Sequence, residues 1–165
     1  MNIRIPALAA AIALLSSPVR ASDLTYASQT LTPEAALQVV QAAMQSCRAN
    51  GYQVTVAVTD RTGVPIALMR DRYAGAHTTE AATRKAYSAA NFRMDTVDLA
   101  QSTEAGQPTS GIRFVGQLLA LGGGLPIQAA GAVVGGVGVS GAPGGDLDRA
   151  CAQAGIDVIQ DDLDF

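Results

Sequence analysis

Apolar residues recur at helical spacing in the first part of the chain. The stripe consists of Leu37, Val40, Met44 and Cys47. Steps of three and four residues place these side chains on one face of an amphipathic helix. Thr32-Pro33 before the stripe is a typical helix start, with the threonine as N-cap, and Asn50-Gly51 after it is a typical end. The pattern predicts a first helix between these two signals.

Two pairs of strands are indicated by stretches rich in valine and isoleucine. Residues 54–59 and 65–70 flank a turn at 60–63, and residues 125–130 and 132–140 flank Gly131. Each pair is therefore predicted to form a hairpin. The last strand alternates in part between valine and glycine, which lets another backbone or a flat ligand approach closely.

Three further helices complete the pattern. A second helix, capped by Thr78 or Thr79, runs to about Phe92 and has a small-residue face made of Ala82, Ala86, Ala89 and Ala90. A short helix capped by Asp95 extends to about residue 104. The last helix, capped by Asp146, is predicted to turn Leu147, Ala150, Cys151, Ala154 and Val158 inward. Residues 114–121 fit either a helix or a strand.

The resulting order is α-β-β-α-α-β-β-α. Two hairpins flanked by helices do not form the alternating βαβ pattern of a parallel sheet. The chain is therefore predicted to have an α/β fold of the α+β type, with one antiparallel sheet and helices packed on it. The motif Gly136–Gly141 matches G-x-G-x-x-G, but too little chain follows it for a dinucleotide-binding unit.

The first 21 residues have the features of a secretory signal peptide. Arg4 supplies the positive charge, residues 7–15 are apolar, and Val19-Arg20-Ala21 places small side chains at the cleavage site. The apolar run is too short to cross a bilayer. Residues 22–165 are then one domain in the periplasm or outside the cell. An N-terminal membrane anchor and a disordered tail are the alternatives.

Charge and composition exclude several kinds of partner. The formal net charge is −3, and removal of Arg4 and Arg20 would make it more negative. The chain has four Tyr, three Phe and no Trp, so surfaces that stack bases are scarce. Neither nucleic acid nor an anionic membrane surface is expected to bind, and no later segment suits stable membrane insertion.

Cys47 and Cys151 are a candidate disulfide, because paired cysteines in an oxidising compartment are usually bonded. Both also lie on apolar helix faces, so two separate buried thiols are the alternative.

His77, the only histidine, is a candidate ligand for a metal or haem iron, or a base; the alternative is a solvated loop residue. Lys85, the only lysine, and Arg72 are candidates to face a carboxylate; the alternative for Lys85 is a solvated helix face.

Four motifs in order resemble those of a known family. They are the hairpin Val56–Leu68, the helix segment Ala82–Phe92, Gly123-Gly124-Leu125-Pro126-Ile127, and Val134–Gly141 followed by Asp146. Together they cover about Leu31 to Ile159 and resemble the GlcG/HbpS-like haem-binding family. The resemblance implies a five-stranded antiparallel sheet with helices on both sides, a homo-oligomer, and haem or a related small molecule near the loop before the second helix.

That loop departs from the family pattern. The family often has Arg-Met-Asp-Gly-Ala where this chain has Arg72-Tyr73-Ala74-Gly75-Ala76. Tyr73 and His77 are therefore the candidates to approach iron, with His77 as the metal ligand, and Arg72 and Lys85 are the candidates to pair with propionates. The macrocycle is expected to lie against the small face of the second helix and the Val/Gly strand.

The sequence favours a periplasmic or secreted protein that binds a small molecule, haem or a related tetrapyrrole, over an enzyme. One alternative is an enzyme that acts on a small organic acid held by Lys85 and Arg72. The other is a structural or partner-binding subunit of an oligomer.

Overall fold

The computed structural model describes residues 25–163, so the signal peptide predicted at residues 1–21 lies outside the described part. The elements in chain order are α1 (Pro33–Ala49), β1 (Thr55–Asp60), β2 (Pro65–Arg70), α2 (His77–Phe92), α3 (Thr96–Ser102), a 3-10 helix (Ser110–Phe114), β3 (Gly124–Ala129), β4 (Ala132–Ser140), α4 (Gly145–Asp157) and α5 (Gln160–Leu163). No helix in this part of the chain is long and apolar enough to cross a membrane.

The sheet has four antiparallel strands in the order β2-β1-β4-β3. Both predicted hairpins are present, and they join through β1 and β4, with Val56 opposite Val139 and Val58 opposite Val137. The expectation of five strands is wrong for the described residues. The ambiguous segment 114–121 adds no strand. Its first residue ends the 3-10 helix, and the rest is an irregular, mostly exposed connection.

Helices cover both faces of the sheet. On one face, α1 and α4 pack against Val56, Val58, Val137 and Val139 to form the main apolar core. On the other face, α2 lies across β4, β1 and β3. Burial of these apolar side chains is the main force that holds the layers together.

Two of the predicted helix starts are confirmed. Thr32 caps α1 by accepting a hydrogen bond from the Ala35 backbone N–H at 3.2 Å, and Asp95 caps α3 by accepting one from Val97 at 2.8 Å.

The other two starts are wrong. Helix α2 begins at His77, since the Thr78 hydroxyl bonds instead to the Gly75 carbonyl oxygen and to Thr55. Helix α4 begins at Gly145 with Gly144 as N-cap, so Asp146 lies inside its first turn.

The buried face of α4 also differs from the predicted one. It consists of Asp148, Cys151, Ala152, Gly155 and Ile156. Val158, predicted to point inward, is 53% exposed. The prediction was wrong because the apolar pattern treats every carboxylate as a surface group, whereas the Asp148 side chain is buried.

The structure joins Cys47 of α1 to Cys151 of α4 in a disulfide, with the two Cα atoms 5.4 Å apart. Both residues are buried in the main core. The alternative of two separate thiols is therefore not what the structure shows. The bond links the first and last long helices on the same face of the sheet.

Candidate functional site

The loop between β2 and α2 begins with an ion pair whose carboxylate, Asp71, is buried and whose arginine, Arg48, is half-exposed. Both oxygens of the Asp71 carboxylate accept hydrogen bonds from Arg48 of α1, at 2.7 and 3.0 Å. The Arg72 backbone N–H donates a third, at 2.9 Å. The hydrogen bonds from Arg48 are the main reason that the pKa of Asp71 lies below its ordinary value of 3.8. The carboxylate is thus held charged at the base of the loop.

Hydrogen bonds to backbone carbonyl groups fix the rest of this loop. The Ala74 N–H donates to the Asp71 carbonyl at 3.1 Å, and the Arg70 guanidinium donates to the Ala74 carbonyl at 2.6 Å. At the far end, the Thr78 hydroxyl bonds to the Gly75 carbonyl oxygen at 2.6 Å. The loop is therefore ordered by its own contacts and can hold side chains in fixed positions.

Three of the predicted site residues project from this loop into solvent. Arg72, Tyr73 and His77 are all exposed, Tyr73 at 79%. The His77 ring lies over Gly75, so close that a Cβ atom at position 75 would be 2.6 Å from the imidazole Cε1. Within residues 25–163 the imidazole has no hydrogen-bond or ion-pair partner, so its nitrogens are open to a ligand.

The structure contradicts the prediction for Lys85. Its side chain is only 1% exposed, and its ammonium group donates to Asp148 Oδ2 at 2.8 Å and to the Val139 carbonyl at 2.9 Å. The lysine is therefore committed to an internal ion pair. It cannot reach a propionate or the carboxylate of a substrate without breaking that pair.

The predicted binding surface for the macrocycle is also absent. The small face of α2 and the glycines of β4 pack directly against each other. A Cβ atom on Gly138 would lie 2.1 Å from the Ala82 carbonyl oxygen, and one on Gly136 would lie 2.5 Å from that of Ala86. The close approach that the glycines permit is made by a helix backbone, so no flat ligand enters between these elements.

A surface cleft of about 1000 Å³ is a feature that the sequence pattern did not indicate. We call it the arginine cleft. Its lining residues are Tyr26, Ala27, Ser28, Gln29, Arg61, Thr62, Ala90, Asn91, Arg93, Gln128, Gly131, Ala132 and Val133. The two arginines are far apart in sequence, and each by itself has the ordinary appearance of a solvated loop residue. Only their shared position in the fold distinguishes them.

Comparisons with known proteins agree with this fold. The family model described as haem degrading protein HbpS-like matches residues 31–157. A crystal structure of a double mutant of HbpS from Streptomyces reticuli is 36% identical, covering 93% of this chain and 99% of its own, with a TM-score of 0.77.

Two more distant relatives are also similar. The crystal structure of a PduOC:heme complex is 26% identical, with a TM-score of 0.74, and covers 79% of this chain and 95% of its own. An uncharacterized 15.0 kDa protein in the dhaT-dhaS intergenic region of Citrobacter freundii is 29% identical over 130 residues, covering 78% of this chain and 91% of its own.

Proposed function

Because the chain belongs to the family of haem degrading proteins described as HbpS-like, we propose that it binds haem or a closely related tetrapyrrole through His77. The observation that carries the proposal is the exposed, unpartnered imidazole on a loop whose backbone is fixed by hydrogen bonds. The similarity to a protein solved as a haem complex supports the ligand class.

The side chains near His77 suit this ligand. A neutral imidazole is a common axial ligand of haem iron, and a tyrosine phenolate is another. The Arg72 guanidinium makes no hydrogen bond or ion pair within residues 25–163, although its charge acts on the nearby Asp71 carboxylate, so its donors are available to a propionate. No group of three or more His, Cys, Asp or Glu side chains in residues 25–163 is arranged to hold a bare metal ion. His77 or Tyr73 would hold the haem iron, and Arg72 would pair with a propionate.

The exposure of the loop bears on how such a ligand would be covered. A haem macrocycle is apolar, and exposed apolar surface is unfavourable in water. Tyr73 and His77 line neither the arginine cleft nor the cleft of about 550 Å³ next to it. We therefore place the haem between this loop and a second copy of the chain, which makes the homo-oligomer part of the site.

The proposed compartment is the periplasm or the exterior of the cell. The disulfide between Cys47 and Cys151 supports an oxidising environment, since such bonds are rare in the reducing cytosol. The signal-like pattern of residues 1–21 points the same way.

The decisive experiment is a hemin titration followed by the Soret band. The wild-type protein is expected to saturate at a fixed stoichiometry, and His77→Ala is expected to shift the band and weaken binding. Tyr73→Phe tests the second candidate ligand, and Tyr26→Phe is its matched control, because Tyr26 is an equally exposed tyrosine (83%) outside the loop. A His77→Ala protein with an unchanged spectrum and affinity would remove His77 from the site, and a non-saturating wild-type titration would refute haem binding.

A further inference from the structure

The arginine cleft is positively charged in a protein of negative net charge. Arg61 and Arg93 line it, and none of its lining residues is acidic. The acidic side chain next to Arg61 in the chain, Asp60, already accepts hydrogen bonds from the backbone N–H groups of Thr62 and Val64, at 2.8 and 2.9 Å. Among residues 25–163 neither guanidinium group forms an ion pair with a carboxylate. Arg93 also lines the neighbouring cleft, together with Asp95 and Asp98.

The hydrogen-bond donors of the cleft are only partly used. The Arg61 guanidinium donates to the Ser28 hydroxyl at 2.6 Å and makes no other hydrogen bond within residues 25–163. Arg93 and Gln128 have no side-chain hydrogen bond within this range. A guanidinium group presents five donors in a planar fork that matches a carboxylate. The cleft therefore offers two forks and an amide to a ligand rich in oxygen acceptors.

Arg93 lies at a position whose backbone conformation favours glycine. It follows the last residue of α2 in the left-handed region, with φ 56° and ψ 36°. Glycine is the usual residue there, because a Cβ atom disfavours this conformation. Only one other non-glycine residue of the described chain, Ala130, has a positive φ, and it lies beside Gly131 of the same cleft.

We propose that the arginine cleft binds a small organic acid with two or more carboxylates. Two forks suit two carboxylates, and a volume of about 1000 Å³ is more than an inorganic anion fills. Apart from Tyr26, the apolar part of the lining consists of small residues, Ala27, Ala90, Ala132 and Val133, which favours a compact polar ligand over a macrocycle. This site is separate from the loop of His77, and the proposal does not depend on haem binding.

The test is calorimetric titration of citrate into the purified protein at low ionic strength. Saturable binding to one site is expected. Arg61→Gln and Arg93→Gln should each weaken it about ten-fold or more, as the loss of a charge-assisted hydrogen bond does. Arg84→Gln removes the same charge from a residue outside the cleft and should bind citrate as the wild type does. Absence of saturable binding, or wild-type affinity in both cleft variants, overturns the proposal.

A second variant separates ligand binding from structural support. Arg93→Gly relieves the left-handed backbone, so it should raise Tm by about 2–4 °C while losing citrate affinity. A lower Tm together with unchanged affinity would show that Arg93 has a structural role only, against the proposal.

Two competitors define the ligand class. Inorganic phosphate should bind much more weakly than citrate, and equal binding would refute an organic acid. Hemin titrated in saturating citrate should give the same curve as without it. Competition would mean that the cleft takes propionates of haem, which would overturn the proposal of a free acid. A failure of haem binding alone leaves the citrate result standing.

Discussion

Lys85 Nζ lies 2.8 Å from Asp148 Oδ2, and the two side chains are 1% and 5% exposed. The other carboxylate oxygen accepts a hydrogen bond from the Ala142 backbone N–H at 2.9 Å. Gly123, with φ 115°, passes so close that a Cβ atom there would meet both partners. The pair thus connects α2, which lies on one face of the sheet, to α4 on the other. Burial raises the pKa of the Asp148 carboxyl, and the attraction of Lys85 acts in the opposite direction.

Breaking this ion pair is expected to be costly. Asp148→Asn leaves the Lys85 charge buried without a counter-charge, and the free energy of unfolding should fall by about 3–5 kcal/mol. Urea denaturation followed by circular dichroism measures the change. The double variant Lys85→Met, Asp148→Leu removes both buried charges together. It should lose much less stability than the sum of the losses in Lys85→Met alone and Asp148→Leu alone. Additive effects would show that the pair does not act as a unit.

The Asp71 carboxylate makes stability depend on pH. Its pKa is lowered in the folded protein, so its contribution is complete above the unfolded value of about 3.9 and is lost as the pH falls through the folded value. Wild-type stability should therefore exceed that of Asp71→Asn at pH 6, and the gap should narrow below about pH 4. Urea midpoints at a series of pH values measure the gap. Asp98→Asn, at an exposed aspartate with no ion-pair partner in residues 25–163, is the control for the loss of a carboxylate.

The Cys47–Cys151 disulfide closes a long loop, with a sequence separation of 104. Its removal frees the unfolded chain, and the chain-entropy model gives a loss of about 4–5 kcal/mol for a loop of this length. The double variant Cys47→Ala, Cys151→Ala should lose that much free energy of unfolding, measured by urea denaturation. A reducing agent should destabilise the wild type and leave the double variant unchanged. A wild-type urea midpoint that stays the same when the reducing agent is added would contradict this prediction.

The contact between α2 and β4 depends on glycine. In Gly138→Ala the new methyl group would overlap the Ala82 carbonyl oxygen and the Ala86 backbone nitrogen, so helix and strand must separate. A loss of about 3 kcal/mol or more in stability is expected. Gly116→Ala is the matched control, because a Cβ atom there meets nothing within 4 Å. Equal thermal denaturation of the two variants would show that the packing tolerates the methyl group.

Local patterns were sufficient for most elements of the fold. The two hairpins and the helices α1, α2, α3 and α4 follow from valine-rich runs, turn and capping residues and the spacing of apolar residues, all properties of short segments. The short helix α5 was not predicted. Residue type singled out His77 and Arg72, and the resemblance to the family pointed to their loop and to Tyr73. The structure places all three side chains in solvent. Their role in haem binding stays a prediction.

The sequence by itself determined where strands and helices form and which two cysteines were available to pair, because backbone preferences and turn chemistry act over a few residues. Only the tertiary structure decided that Lys85 is internal, since a buried charge is stable only with a partner, and Asp148 is 63 residues away. It likewise decided that the glycines of β4 accommodate α2, and that Arg61 and Arg93 share one cleft. These relationships depend on which elements pack together, and that is set by the burial of the whole core.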